Sequence, residues 1–274
     1  MINMLKLPKG QLEDLLRKTQ RMCNINGKPM PQVIGCVIEC IPNADVAVTT
    51  SIVRDGKTSV ASFVTPCDDF HMEEGIVIPD IAKALGVLKA HAGLITLEKK
   101  DDKLVFRSSG KQTTISADPR ALAFPHTKKS ISLWNEESQE RLSVIDGVGR
   151  YTMSDGKVRE PVAKFELHGS DLRQAIEAGN INGQKVNRCT LAWDGESQLD
   201  ITTGKQMLGE TTTCLLDIEW PHFPQFSFEF EGGLENCLSN DKLTLYILDF
   251  NPEGQGYSMV IYSDDCKIFQ RGVV

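Results

Sequence analysis

The sequence predicts an α+β protein made of two similar halves. Three observations carry this. Strand-like runs dominate the 274 residues. Only two short helical segments interrupt each half. The order strand, helix, several strands, helix, two or three strands occurs twice, although the residues themselves do not visibly repeat. Strands grouped in runs argue against alternating βαβ units. The length fits about two domains. We place the first at 1–118, a connector with an insertion at 119–160, and the second at 161–274.

The first half opens with a strand at 4–7, broken by Pro8 and Gly10. A helix follows at 11–23, where Leu12, Leu15, Leu16, Thr19 and Met22 share one stripe. Residues 24–31 read as a loop. Strands at 32–41 and 46–53 flank a turn at 42–45. Asp55-Gly56 signals a hairpin, with the returning strand at 58–65. Another strand is expected at 70–78. Pro79-Asp80 suits the start of a second helix, whose stripe is Ile81, Leu85 and Leu88 and which Gly93 ends. Strands at 94–98, 104–108 and 112–117 complete the half.

Residues 118–160 are rich in turn and charged residues, with a hairpin expected at 141–153 around Asp146-Gly147. The second half then repeats the grammar. A strand at 163–168 leads into a helix at 171–178, with Leu172, Ala175 and Ile176 inward. Strands follow at 186–193, 198–203, 210–218 and 225–230. A short fourth helix is expected at 234–239. Strands at 242–250, 257–262 and 266–270 close the chain.

Composition narrows the function classes. A 41% hydrophobic and 24% charged chain can bury cores, which excludes wholesale disorder. No run approaches ~18 apolar residues, so no membrane span is expected. The N-terminal residues lack an apolar run of signal-peptide length, so we expect an intracellular, cytoplasmic, reducing location. The eight cysteines contain no CxxC pair and read as reduced thiols, mostly buried. The five histidines form no close ligand pair, and no cofactor is expected. Phosphate loops of the GxxxxGK[ST] and GxGxxG kinds and the GxSxG elbow are absent. Gly147-Val148-Gly149 is flanked by turn residues rather than by a strand entering a helix. Asp68-Asp69, Asp101-Asp102 and Asp264-Asp265 lie at expected turns. The chain reads as a binding or scaffold protein and not an enzyme.

The net charge of −7 argues against a surface that coats phosphate everywhere. It leaves room for one basic face on an acidic molecule. Arg17, Lys18 and Arg21 lie opposite the leucines of the first helix, with Lys28 just beyond. Lys83 is almost opposite the second helix's apolar stripe, and Lys89 flanks it. Arg173 lies on the third helix, followed by Lys185 and Arg188. The fourth helical segment has Glu235 and no base. These cations could equally be the solvated face that any amphipathic helix needs.

In this order of elements, three stretches carry a resemblance to a known family. They are 78–89 with the strands to 116, 165–176 with the strands to 203, and 226–262. Together they resemble the sliding clamps of replicative DNA polymerases. The pattern is more similar to the clamp of T-even phages than to proliferating cell nuclear antigen. The resemblance implies a viral replication protein: a processivity factor whose subunits join head to tail as a homotrimer ring around double-stranded DNA. Its helices would line the hole. Its partners would be a replicative polymerase and a clamp loader, without sequence preference for DNA. It also implies subunit joining by edge strands, here Gln112, Thr114 and Ser116 with Thr211, Thr213 and Leu215. Such edges need a partner or a cover, and the connector could be that cover. Client peptides would dock beside the connector at Ile41, Val46, Leu122, Phe124, Pro125 and Phe269, unless these residues only pack the connector down. A monomeric, non-encircling processivity subunit, an enzyme on an unrelated α+β fold with a site assembled from distant residues, and a structural oligomer without DNA are the alternatives.

Overall fold

The computed structural model describes residues 3–20, 22–25, 28–31, 33–41, 43–53, 60–116, 122, 142–145, 148–152, 156–179, 188–205, 209–215, 223–235, 237–250 and 256–273. Strand β1 (Asn3–Pro8) runs directly into α1 (Lys9–Thr19). A hairpin of β2 (Met22–Ile25) and β3 (Lys28–Pro31) follows. Then come β4 (Val33–Ile41), β5 (Val46–Val53), β6 (Val60–Pro66), β7 (Phe70–His71) and β8 (Ile76–Ile78). Helix α2 (Ile81–Leu88) leads to β9 (Leu94–Lys100), β10 (Lys103–Ser108) and β11 (Lys111–Ser116).

Strands β12 (Leu142–Ile145), β13 (Val148–Thr152) and β14 (Val158–Arg159) form a small sheet of their own. Strand β15 (Pro161–His168) runs directly into α3 (Gly169–Glu177). The remaining strands are β16 (Arg188–Trp193), β17 (Leu199–Lys205), β18 (Gly209–Leu215), β19 (Phe226–Glu231), β20 (Lys242–Asp249), β21 (Tyr257–Tyr262) and β22 (Cys266–Arg271).

The chain divides into two compact units. One holds Met1–Gln20, Val33–Gly56 and Val60–Leu133. The other holds Arg21–Gln32, Lys57–Ser59 and Trp134–Val274. Within the first, β1 pairs with β9 in the order β11-β10-β9-β1-β7, and β6-β5-β4-β8 forms a second run. Within the second, β15 pairs with β20 in the order β15-β20-β21-β22, and β18-β17-β16-β19 forms the second run. Each unit therefore threads a strand straight into a helix and pairs that strand with the first of its last three. The pairings that the registers record are antiparallel, as short connections allow. The expected α+β class and doubled layout follow from this topology.

Alternation builds both cores. On β1, Leu5 and Leu7 are fully buried between half-exposed neighbours. Leu12, Leu15, Leu16 and Thr19 of α1 and Ile81, Ala84, Leu85 and Leu88 of α2 bury helical stripes beside them. Burying each Leu or Ile contributes about 1.5–3 kcal/mol. In the second unit Trp193 meets Phe165 edge-on at 5.4 Å between ring centroids, and Phe226 stands 6.1 Å from the same phenylalanine.

Four expectations are corrected. The first helix stops at Thr19, not at 23, because Gln20 leaves helical geometry at ψ 89. Met22 then belongs to β2, and the loop expected at 24–31 holds β3 instead. The strand expected at 70–78 is two short strands in different sheets, separated at 72–75. At 234–239 the described residues form a single turn rather than a helix. Gly233 sits at φ +94, its N–H donates to the Glu235 carboxylate at 2.9 Å, and the Cys237 N–H bonds the Leu234 carbonyl. A side chain that binds backbone locally competes with helix propagation. The Asp55-Gly56 turn lies outside the described residues. No described helix is long and apolar enough to cross a membrane.

Candidate nucleic-acid interface

The burial of one stripe on each helix decides which residues remain outside. With Leu12, Leu15, Leu16 and Thr19 inward, the 3.6-residue period turns Gly10, Asp14, Arg17 and Lys18 outward. Thr19 is held inward by polar contacts as well. Its hydroxyl lies 2.7 Å from the Leu15 carbonyl and 2.8 Å from the Thr49 hydroxyl. Two of the helix's cations are already paired along the surface: Lys9 with Glu13 at 3.8 Å, and Lys18 with Asp14 at 3.0 Å. Arg17 is exposed and has no ion-pair partner among the described residues.

Asp80 caps α2 by accepting from the Lys83 N–H at 2.8 Å. The exposed side of α2 is built of Ala82, Gly86 and Ala90, with Lys83 and Lys89 on its margins. Neither lysine has an ion-pair partner among the described residues. Helices α1 and α2 pack against one another, so the first unit presents three unpaired cations, Arg17, Lys83 and Lys89, on adjoining helices.

The second unit differs. Arg173 projects from α3, but its guanidinium donates to the Leu238 carbonyl and to the Asn240 side-chain oxygen at 3.0 Å. Arg188 pairs with Glu229 across β16 and β19 at 3.2 Å. Lys28 lies on β3. Arg21 and Lys185 fall outside the described residues.

The strands expected at subunit contacts occupy sheet edges. β11 ends the β11-β10-β9-β1-β7 order, and β18 ends β18-β17-β16-β19. Gln112, Thr114 and Ser116 are exposed on β11, whereas Thr211, Thr213 and Leu215 are half-buried on β18. Two sets of side-chain contacts that no sequence pattern marks brace the β11 edge. Arg107 donates to Gln112 at 2.9 Å and pairs with the nearly buried Glu98 at 2.6 Å, linking β9, β10 and β11 in one line. His91 braces it from below, bonding the Ser108 and Thr113 hydroxyls at 2.8 and 2.9 Å. The first arrangement follows from the β9–β10–β11 register, and the second from where the fold sets the turn between α2 and β9.

The expected peptide-pocket residues fall into separate groups. Ile41 and Val46 are a cross-strand pair, both half-buried, at the end of the β4–β5 hairpin of the first unit. Leu122 is 1% exposed. Phe124 and Pro125 lie outside the described residues. In the second unit Phe269 packs on Tyr246, Leu248, Phe250 and Val260. The run Leu243 to Leu248, apolar except for Thr244, signals that β20 is covered on both faces over most of its length. No group of three or more potential metal ligands gathers among the described residues.

No family model matches this sequence, and no curated protein matches it either. Solved structures do match in fold. A Caulobacter crescentus beta sliding clamp, solved with polyethylene glycol at a putative tethering region, superposes with TM-score 0.63 at 12% identity. It covers 99% of this chain and 66% of its own. A Helicobacter pylori beta clamp bound to a DNA ligase peptide gives 0.59 at 14% identity, over 98% and 66%. The DNA polymerase III beta subunit sliding clamp of Bartonella birtlesii gives 0.61 at 16% identity, over 99% and 67%. The chain thus has the sliding-clamp fold, and it spans about two-thirds of the length of the structures it matches.

Proposed function

We propose that this chain is a DNA sliding clamp, a non-catalytic protein whose copies close into a ring around duplex DNA and tether a polymerase for processive synthesis. The observation that carries the reading is the coincidence of that fold with three cations on α1 and α2 that have no ion-pair partner among the described residues, in a chain whose net charge is −7. Arg17, Lys83 and Lys89, with Lys18, would meet phosphate without reading bases. The small side chains between the α2 lysines leave a smooth surface that offers no register to hold. Few, exposed contacts suit a protein that must move along its track.

The domain limits 1–118, 119–160 and 161–274, the phage-type homotrimer, viral origin and the clamp loader belong to the same proposal. So do subunit joining through β11 and β18 and client docking near Ile41, Val46 and Phe269. The edge positions of both strands support the joining, and the half-burial of Ile41, Val46 and Phe269 supports the docking. Two measurements test the reading. Negative-stain imaging is expected to show a ring with a central opening. Binding to a linear duplex is expected to weaken steeply with salt, and Arg17→Ala/Lys83→Ala/Lys89→Ala is expected to lower affinity about tenfold or more and flatten that salt dependence. A monomer at micromolar concentration, or unchanged duplex binding in the triple variant, overturns it.

A further inference from the structure

Helix α3 of the second unit does not present the charge that α1 and α2 of the first present. α3 buries Gly169, Leu172, Ala175 and Ile176, which leaves Asp171, Gln174, Glu177 and Ala178 exposed. Its only base is Arg173. That guanidinium is directed at the 238–241 turn, bonding the Leu238 carbonyl and Asn240. The same turn is held from the start of the helix, where the Gly169 N–H donates to the Asp241 carbonyl at 2.9 Å. A Cβ at position 169 would run into the Ser239 carbonyl, so the approach requires glycine. Arg173 and Gly169 thus form one fastening between α3 and the turn.

Helix stability accounts for only part of this charge pattern. Asp171 lies in the first turn of α3, where a carboxylate complements the positive end of the helix. Glu177 is the last residue of the helix, where a carboxylate opposes the dipole, and no base accompanies it there. On α1 the signs are reversed: no acid in the first turn, and Arg17 and Lys18 in the last.

We infer that contact with DNA phosphate is one-sided, carried by α1 and α2, and that the exposed face of α3 weakens the grip by repulsion, with Arg173 a positioning residue for the 238–241 turn. The inference rests on the clamp reading above. Opposed charge lowers affinity without adding a site at which the ring could halt, since screened repulsion at the surface has no directional geometry.

The test compares intact-chain variants for binding to a fluorescently labelled linear duplex at low salt, alongside their melting temperatures. Asp171→Asn/Glu177→Gln is expected to bind roughly three- to tenfold tighter. Glu177→Gln alone is expected to bind tighter with an unchanged or raised Tm. Arg173→Gln is expected to lower Tm while leaving duplex affinity of the folded protein within about twofold of the parent, an equality a phosphate contact would not give. Unchanged affinity in both acidic variants, or weaker binding by Arg173→Gln at an unchanged Tm, overturns the inference. Failure of the clamp reading shows elsewhere, in a parent protein that does not bind duplex or that ignores the loss of Arg17, Lys83 and Lys89.

Discussion

Residues of one type meet different fates here because the neighbours differ. Arg17 and Arg173 both lie on helices, yet one faces solvent with no ion-pair partner among the described residues and the other is bonded to a carbonyl and an amide oxygen. His91 shows the same principle in the interior. It is 2% exposed, and both ring nitrogens bond hydroxyls, Ser108 on β10 and Thr113 on β11. A neutral imidazole donates from one nitrogen and accepts at the other, and a hydroxyl can answer either role. Replacing His91 by Ala removes both bonds and leaves a cavity behind the hairpin. The expected loss is about 2–4 kcal/mol, read as a lower urea midpoint. The thiol of Cys36 is buried, and burial pushes its pKa far up, which disfavours the thiolate.

At the scale of elements, pairing and fastening replace propensity. β15 and β20 are joined by backbone, and also by Glu166, which pairs with Lys242 at 2.5 Å and Lys164 at 3.2 Å. Hydrogen bonds from these lysines, Lys242 foremost, hold the Glu166 carboxyl below its ordinary value of 4.5. A carboxyl with a lowered folded pKa binds fewer protons folded than unfolded in that window. Its contribution is therefore complete above about 4.5 and is lost as pH falls through the folded value. Glu166→Gln is expected to lower Tm at pH 7 by a small margin, with the gap closing progressively below pH ~4.5. A gap that persists at pH ~2 would remove this cause. The ion pairs are partly exposed, so added salt narrows the pH 7 gap as well.

For the whole molecule, the edge strands matter most. β11 and β18 each end a sheet and carry few charges, a condition that natural sheets relieve by pairing or by cover. Proline has no N–H to give to a new neighbour. Thr114→Pro on β11 is accordingly expected to shift the oligomer toward the 30.4 kDa monomer in sedimentation while the far-ultraviolet circular dichroism stays close to that of the parent. An oligomer of unchanged mass would show that this edge does not join subunits.

Local pattern determined a good deal by itself. Alternation located most strands, because a half-buried sheet demands a period of two whatever lies around it. The stripes of α1, α2 and α3 named their buried residues, since only one side of each helix can face a core. The doubled order of elements followed, and with it the class of fold. Tertiary structure alone decided where α1 stops, because the 22–31 segment satisfies its backbone as a hairpin rather than as more helix. It alone replaced the expected helix at 234–239 by a turn, through the Glu235 carboxylate and its Gly233 partner. It also decided which bases remain available. A lysine or arginine reads the same in sequence whether solvent, Glu229 or the Leu238 carbonyl receives it, since the charge belongs to the residue and its partner to the fold.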